Sequence, residues 1–159
     1  DHCVGQLHLN LYRKYGEERM LTPTREQFDQ IMANTPTRDL TWKHKVSQDR
    51  WSWCDALFMA PPVWARLSAI TGDAKYRDWM FREYQATTDF LFDQEEHLFY
   101  RDSRFFDQRH DGSKIFWSRG NGWVFGGLAV LLPEIPRGTE QYAYFVRLYR
   151  KMAEKLLSI

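Results

Sequence analysis

Residues 53–91, WCDALFMAPPVWARLSAITGDAKYRDWMFREYQATTDFL, contain two helical patterns separated by a stop signal. Apolar side chains recur up to Ile70, and Pro61-Pro62 predicts that the first helix starts late or kinks there. Gly72-Asp73 combines a helix stop with a residue that caps the next helix. From Tyr76 to Phe90, apolar and aromatic side chains again recur at helical spacing. This stretch therefore predicts two consecutive helices joined by a tight turn.

The same organisation extends in both directions along the chain. Four further segments have helical periodicity: Val4–Tyr12 (closed by Gly16), Phe28–Met32, Asn121–Leu132 and Thr139–Leu157. Two short strands are expected at Leu98–Tyr100 and Lys114–Trp117, flanking a turn at His110-Asp111-Gly112. Six helices in three consecutive pairs predict an all-α fold whose loops carry the function. The repeat of roughly 50 residues is typical of solenoids or toroids.

The composition excludes several classes of function. At 159 residues one domain is expected, and 22 basic and 21 acidic residues are well mixed, which argues against nucleic-acid and anionic-membrane partners. No apolar run approaches the ~20 residues of a membrane span. Cys3 and Cys54 form no CxxC motif and the five histidines are scattered, so neither disulfides nor a metal site is expected. Aromatic residues at 16%, including seven Trp, indicate a large aromatic core or a carbohydrate cleft.

The segment WSRGNGW, residues 117–123, concentrates groups that bind acidic sugars. Trp117 and Trp123 offer flat apolar faces, and the Arg119 guanidinium can hold a carboxylate bidentately. Gly120 and Gly122 allow a close backbone approach or a turn with positive φ. Two structural alternatives remain open: a turn anchored by Trp that opens a helix, and a salt bridge at Arg119.

Asp55 is the candidate proton donor, because it is the only charged residue between Trp51 and Arg66. Burial disfavours the charged form of a carboxylate and raises its pKa, which suits a general acid at neutral pH. The alternatives are a helix N-cap and a buried aspartate satisfied by backbone N–H groups. Cys54 beside it is expected to be buried and inert.

Other polar residues are weaker candidates. His44 could donate to a substrate hydroxyl or carboxylate, although a single loop histidine is commonly solvated. Asp1 lies in a polar patch at a helix start, where capping is the alternative. Asp102 and Asp107 could supply a second carboxylate, although charged loop residues are commonly solvated.

Five features resemble, in their order along the chain, family 105 of the glycoside hydrolases. They are DHCVGQ (1–6), the spacing of His44 and Asp55, WCDALFMAPP (53–62), LFYRDS (98–103) and WSRGNGW (117–123). Family 105 contains the unsaturated rhamnogalacturonyl hydrolases, and family 88, the unsaturated glucuronyl hydrolases, is a relative. The resemblance implies an (α/α)6 barrel of six helix hairpins, of which this chain would supply about three. Residues 1–159 are then expected to be the central part of one such domain, incomplete at both ends.

The resemblance also implies a reaction on lyase-generated oligosaccharides with a C4=C5 double bond in the terminal uronate, here from bacterial pectin degradation. Asp55 would protonate C4 and then activate the water that adds at C5, with no metal or organic cofactor. Trp117 and Arg119 would hold the uronate, and His44 and Asp1 match further active-site residues. Many members have His where this chain has Arg101, so Arg101 either takes over a carboxylate contact or reads a different sugar.

Two other functions remain open on the sequence. One is a non-catalytic helical domain that binds uronates through Trp117 and Arg119 or serves a structural role. The other is an unsaturated glucuronyl hydrolase acting on glycosaminoglycan-type oligosaccharides. An isomerase on a similar toroid is disfavoured, because the paired histidines that such sites use are not evident in the sequence.

Overall fold

The computed structural model describes residues 2–35, 37–44 and 50–159. Within these residues the chain is mainly helical. The helices are α1 (Cys3–Tyr15), α2 (Thr22–Ala33), α3 (Ala56–Met59), α4 (Pro61–Thr71), α5 (Ala74–Leu91), α6 (Ser118–Leu131) and α7 (Glu140–Leu156). Three short 3-10 turns lie at Glu18–Met20, Ser103–Phe105 and Leu132–Glu134. None of the described helices has the length and apolar character that a membrane span requires.

The long helices form three hairpins, and α4 is the central element. It packs against α5, its partner in the hairpin, and also contacts α1 and α6. The remaining hairpins are completed by α2, which contacts α1, and by α7, which contacts α6. Every residue from Pro61 to Ser68 is buried, as expected for a helix with neighbours on several sides. The arrangement confirms the predicted all-α class and the three helix pairs.

The turns between paired helices follow from the sequence signals. Gly72 adopts a left-handed conformation with φ 71° and ends α4, while the Asp73 side chain accepts a hydrogen bond from the Lys75 backbone N–H and caps α5. Gly16 ends α1 in the same way with φ 70°. The prolines act as predicted, since α4 begins at Pro61 and the short helix α3 precedes it.

Part of the aromatic content lies in a stack at the centre of the molecule. The Trp64 ring of α4 stacks on Phe28 of α2 at 3.9 Å between centroids and on Trp79 of α5 at 4.2 Å. Its indole N–H donates to Nδ1 of His2 at 3.0 Å. Aromatic pairs in such arrangements contribute stability beyond the burial of their area. Trp64 therefore connects three helices and, through His2, the start of α1.

The predicted strands were partly wrong. Leu98–Phe99 is a strand (β2), but it pairs with Phe92–Asp93 (β1), which directly follows α5. A separate hairpin pairs Arg109–His110 (β3) with Ser113–Lys114 (β4) around the turn at Asp111-Gly112. Trp117 is not in a strand, because it lies at the N-cap position of α6. Periodicity alone could not show that Leu98–Phe99 pairs with a short strand directly after α5.

The start of α6 also differs from the prediction. The helix begins at Ser118 rather than Asn121, so most of WSRGNGW is its first turn. Neither Gly120 nor Gly122 has a positive φ. Gly120 is instead required for packing, since a Cβ there would clash with the Trp117 ring and lie 2.8 Å from Sγ of Cys54. Two turns further on, Gly127 lets α6 approach the backbone of α3.

The approach of α3 and α6 generates a stability prediction. A Cβ at Gly127 would lie 2.6 Å from the carbonyl oxygen of Leu57 and 2.9 Å from Cα of Phe58, and backbone cannot move aside cheaply. We expect Gly127→Ala to lower the free energy of unfolding by ~1–3 kcal/mol. Gly122→Ala is the matched control on the same helix. Outside the α6 backbone and the adjacent residues no atom lies within 4 Å of a Cβ there, so this change should raise the free energy of unfolding by ~0.5–1 kcal/mol. Urea unfolding measures both, and equal effects of the two substitutions would contradict the packing argument.

Candidate active site

Three segments distant in sequence meet near the N-terminal ends of α3 and α6. The Cys54 backbone N–H donates to the carbonyl oxygen of Arg101 at 3.0 Å, which joins the residues before α3 to those after β2. Gly120 packs against Sγ of Cys54 and brings the first turn of α6 to the same place. Asp55, Arg101 and Arg119 are thereby brought together, and the two guanidinium charges oppose the rise in the pKa of the Asp55 carboxyl group.

The side chain of Asn121 holds the first turn of α6 against the strand that precedes Arg101. Its Oδ1 accepts a hydrogen bond from the Phe99 N–H at 2.7 Å, and its Nδ2 donates to the Phe99 carbonyl oxygen at 2.9 Å. The amide thus pairs with both backbone groups of a buried strand residue, in the way a neighbouring strand would. Nδ2 also donates to the Trp117 carbonyl oxygen at 3.2 Å. Asn121 therefore sets the position of Arg101, two residues after Phe99, relative to α6.

Asp55 is half-buried at the N-cap position of α3, yet its side chain makes no capping hydrogen bond. Asp55 thus occupies the helix position that the capping alternative predicts, but its carboxyl group does not form the capping hydrogen bond. Burial raises the pKa of Asp55, and this effect exceeds the opposing influence of nearby backbone N–H groups and of the Arg101 and Arg119 charges. The result is a carboxyl group that retains its proton to higher pH than an exposed aspartate.

Arg101 belongs to a row of alternating aromatic rings and guanidinium groups, the aromatic–arginine row. Its members in order of contact are Phe105, Arg101, Trp53, Arg104 and Trp42. The Arg101 guanidinium carbon lies 5.1 Å from the Phe105 ring centroid and 4.4 Å from that of Trp53. Arg104 lies 5.5 Å from Trp53 and 3.8 Å from Trp42, within cation–π range of both rings.

Asp102 holds the two arginines of the row in place. Its carboxylate is fully buried and accepts hydrogen bonds from Nε of Arg101 at 2.9 Å and from Nε and an Nη of Arg104, each at 2.8 Å. Burial by itself raises the pKa of Asp102, but the hydrogen bonds from Arg104 and Arg101 outweigh it and lower the pKa overall. Asp102 is thus an anchor that keeps its negative charge to lower pH than an exposed aspartate. The expectation that it is solvated was wrong, whereas Asp107 is exposed as expected.

WSRGNGW contributes an exposed cation and two aromatic faces. The Arg119 guanidinium carbon lies 4.8 Å from the centroid of the half-buried Trp117 ring, and none of the described carboxylates pairs with Arg119. The salt-bridge alternative for Arg119 is therefore wrong within the described residues. Trp123, one helical turn beyond Arg119 on α6, is 36% exposed and packs against Phe58 at 4.8 Å between centroids.

His44 and Asp1 are placed less completely. His44 is exposed, with its ring centroid 6.0 Å from that of Trp42. The Trp42 backbone N–H donates to Oγ of Ser103 at 2.9 Å, which joins the loop that carries His44 to the segment of Arg101 and Arg104. Asp1 lies outside the described residues, so its assignment stays a prediction.

Sequence reasoning missed four residues around this site: Trp42, Trp53, Asp102 as an anchor, and Arg104. The available signal was the alternation of cation and anion in Arg101-Asp102-Ser103-Arg104, together with Trp residues upstream of the two candidates His44 and Asp55. Cys54 is buried as predicted, and burial raises the pKa of its thiol to about 12, so it is no nucleophile. The described residues contain no cluster of His, Cys, Asp or Glu that could hold a metal ion.

The arrangement as a whole suits acid catalysis on an anionic sugar. It combines the Asp55 carboxyl group, whose pKa is raised by burial, with two flanking guanidiniums and several aromatic faces. The cations attract a negatively charged ring, and the aromatic faces give it an apolar platform.

Comparisons with known proteins agree with the motif resemblance. A family model described as Glycosyl Hydrolase Family 88 matches residues 1–159. An unsaturated 3S-rhamnoglycuronyl hydrolase of Alteromonas sp. strain LOR is 39% identical over 171 residues, covering all of this chain and 41% of that protein. A protein of the same name from Formosa agariphila is 46% identical over 116 residues, covering 69% of this chain and 31% of its own.

Solved structures confirm the helical-barrel class. A family 88 glycosyl hydrolase from Bacteroides vulgatus superposes with a TM-score of 0.85 at 26% identity, over 99% of this chain and 43% of that one. A structure named as a polysaccharide lyase gives the same TM-score at 28% identity, over 99% and 42% of the two chains. This chain spans 41% and 31% of the length of the two curated relatives.

The electrostatics of Asp55 generate a prediction about its titration. In the full-length protein, carbon NMR of the carboxyl groups should give Asp55 a pKa above the ordinary aspartate value of 3.8. Arg101→Gln should raise this pKa further, because the Arg101 charge stabilises the carboxylate form. Asp55→Asn identifies the resonance, and Arg109→Gln, on the exposed β3–β4 hairpin, is the matched control that should leave it unchanged. An Asp55 pKa at or below 3.8, or one lowered by Arg101→Gln, would refute the assignment.

Proposed function

We propose that this chain, which belongs to Glycosyl Hydrolase Family 88, acts in an enzyme that releases an unsaturated uronate from oligosaccharides produced by polysaccharide lyases. The observation that carries the proposal is the half-buried, uncapped carboxyl group of Asp55 beside Arg101 and Arg119. The names of the Alteromonas and Formosa relatives support it, since both are unsaturated rhamnoglycuronyl hydrolases.

Asp55 is the proton donor in this proposal. The substrate ring contains an enol ether, in which C4=C5 is conjugated with the ring oxygen on C5. Protonation of C4 by the Asp55 carboxyl group uses the π electrons of the double bond and leaves an oxocarbenium ion at C5. The raised pKa suits this step, because at any given pH a larger fraction of the Asp55 carboxyl groups holds a proton to donate than in an exposed aspartate. As pH rises through the pKa of Asp55, proton donation is lost.

The Asp55 carboxylate formed in this step then acts as a base. It takes a proton from the water molecule that adds to C5, which gives a hemiketal and restores the acid. The hemiketal opens by breaking the bond between C5 and the ring oxygen, and C1 becomes a hemiacetal that expels the second sugar as an alcohol. One water molecule is consumed and 5-keto-4-deoxyuronate is released. An ordinary glycosidase would instead act at C1 with a pair of carboxylates.

A single carboxyl group is sufficient for this chemistry, which agrees with the surroundings of Asp55. The neighbouring carboxylate Asp102 has a lowered pKa and is held by two arginines, so it neither donates a proton nor accepts one readily. In our proposal Arg119 binds the substrate carboxylate, and Trp117 contributes an aromatic face for the ring. Arg101 assists by attracting the same carboxylate, and His44 and Asp1 complete the substrate contacts.

The candidate substrates from pectin and from other polysaccharides differ in the second sugar, to which the unsaturated uronate is linked. Galacturonate and glucuronate differ in configuration only at C4, and the double bond removes that difference. The unsaturated ring is therefore the same in rhamnogalacturonyl, rhamnoglycuronyl and glycosaminoglycan-type substrates. We propose a uronyl–rhamnose linkage, which is common to the pectin substrate implied by the motifs and to the names of the two relatives. The discrimination then lies in the subsite for the second sugar.

Turnover of an unsaturated disaccharide tests the function. In the full-length protein we expect the ultraviolet absorbance of the C4=C5 bond to disappear, and Asp55→Asn to slow this loss by roughly 10²–10⁴-fold, as removal of a general acid does. Asp107→Asn is the matched control, because Asp107 is an exposed loop carboxylate. A lyase would increase the absorbance, and a non-catalytic sugar-binding domain would bind the disaccharide without changing it. Either result, or full activity of Asp55→Asn, would overturn the proposal.

A further inference from the structure

The helix that carries Asp55 at its N-cap position, α3, is a single turn of four residues, Ala56–Met59. A helix this short has too few internal hydrogen bonds to be stable on its own, so its position depends on the segments packed against it. Gly127 of α6 contacts its backbone from one direction. A second contact comes from α1, and it explains a part of the motif DHCVGQ that the proposed reaction does not use.

The end of α3 lacks the hydrogen-bond donors that a longer helix would supply. In a continuing helix the Phe58 carbonyl oxygen would accept from the N–H of residue 62, or from that of residue 61 in a tighter turn. Both residues are proline, which has no N–H. The next N–H, that of Val63, donates to the Ala60 carbonyl oxygen at 3.0 Å. Pro61-Pro62 therefore leave the Phe58 carbonyl without a helical donor.

Gln6 of α1 supplies a donor from outside the helix. Its Nε2 donates to the Phe58 carbonyl oxygen at 3.2 Å, between residues 52 positions apart in sequence. The Gln6 backbone carbonyl in turn accepts from an Nη of Arg66 on α4 at 3.4 Å. The neighbouring Gly5 permits this close approach, since a Cβ there would lie 2.7 Å from Cγ1 of Val63. The backbone of Gln6 is thus held against α4 while its side chain holds α3.

The contact at Phe58 reaches Asp55 by a short path. The Phe58 N–H donates to the Asp55 carbonyl oxygen at 3.0 Å, so the two ends of α3 are directly bonded. Because α3 is a single turn, a shift at Phe58 moves Asp55 as well and is not absorbed by intervening turns. The Phe58 ring also packs against Trp123, four residues after Arg119 on α6. Displacement of Phe58 would therefore change the position of Asp55 relative to Arg119.

We propose that Gln6 is a positioning residue for Asp55: its amide replaces the N–H that Pro61 and Pro62 lack, and holds the one-turn helix of the proton donor in a fixed place against α1. Gln6 acts through Phe58 and not on the substrate. This inference rests on the proposed function, because it assigns a further residue to the same proton transfer.

Gln6→Met in the full-length protein removes the donor and retains a side chain of similar length. With an unsaturated disaccharide we expect kcat to fall about tenfold, since misplacement of a catalytic group by ~1 Å costs up to ~10²-fold. KM should stay close to wild type, because Trp117 and Arg119 are unchanged. A residue that only stabilises the fold would leave the titration of Asp55 in the folded protein unchanged. For Gln6→Met, carbon NMR should instead show the Asp55 pKa closer to 3.8, because burial raises it and a looser α3 admits water.

Two further substitutions test the cause and the specificity of the effect. Pro62→Ala returns an N–H four residues after Phe58, so Gln6→Met should lower kcat less in the Pro62→Ala protein than in wild type. Asn34→Leu is the matched control, because the Asn34 side-chain amide also donates to a backbone carbonyl, that of Gln30, at 2.9 Å near the end of α2. It should change neither kcat nor the pKa of Asp55.

The outcomes separate this inference from the proposed function. A wild-type pKa of Asp55 in Gln6→Met, whatever its kcat, overturns the positioning role and leaves the function intact. Equal losses of kcat on Gln6→Met in the wild-type and Pro62→Ala proteins overturn it as well. Absence of turnover by the wild type overturns the function, while the NMR comparison still tests Gln6. If Gln6→Met does not melt cooperatively, Gln6→Asn replaces it with the same expected results, because its amide is one methylene too short to reach the carbonyl.

Discussion

The pairing of the Asn121 amide with both backbone groups of Phe99 is the interaction on which the site depends. Phe99 is buried, so loss of the amide would leave an N–H and a C=O group without partners at a cost of about 1–3 kcal/mol each. Through this pairing α6 fixes the end of β2, and through the hydrogen bond from Cys54 to the Arg101 carbonyl β2 fixes the segment of Asp55. These hydrogen bonds thus hold three segments that are distant in sequence at fixed positions relative to one another.

Burial of a carboxylate costs electrostatic free energy. This cost is not fully offset at Asp55, whereas hydrogen bonds from two arginines offset it at Asp102. Asp102 is fully buried and Asp55 is half-buried, but Asp102 receives hydrogen bonds from two arginines whereas Asp55 makes no capping hydrogen bond. Their pKa values consequently move in opposite directions, upward for Asp55 and downward for Asp102. Pairs of carboxyl groups whose surroundings separate their pKa values are typical of sites that divide the roles of proton donor and fixed charge.

The sequence was sufficient for the helices and for part of the site. Local signals such as Gly72-Asp73 and Pro61-Pro62 act within one turn of chain, so helix ends could be predicted from them. Asp55 and Arg119 were likewise visible as unusual residues in apolar or aromatic surroundings. The pairing of β1 with β2 and the burial of Asp102 depend on contacts between different segments. The spacing of apolar residues along the sequence therefore could not predict them. Trp42 and Arg104 were missed for the same reason, because their stacking joins two loops 62 residues apart in sequence.

The central claim is that a proton reaches C4 of an unsaturated ring while C1 is not attacked, and isotope labelling tests it most directly. The reaction is run in D2O for a single turnover with the full-length protein, and the product is examined by NMR before the position next to its ketone can exchange. The account predicts one deuterium at C4, delivered to one face of the ring. A product that carries no deuterium at C4 when it is first released would contradict proton donation to the double bond and with it the role of Asp55.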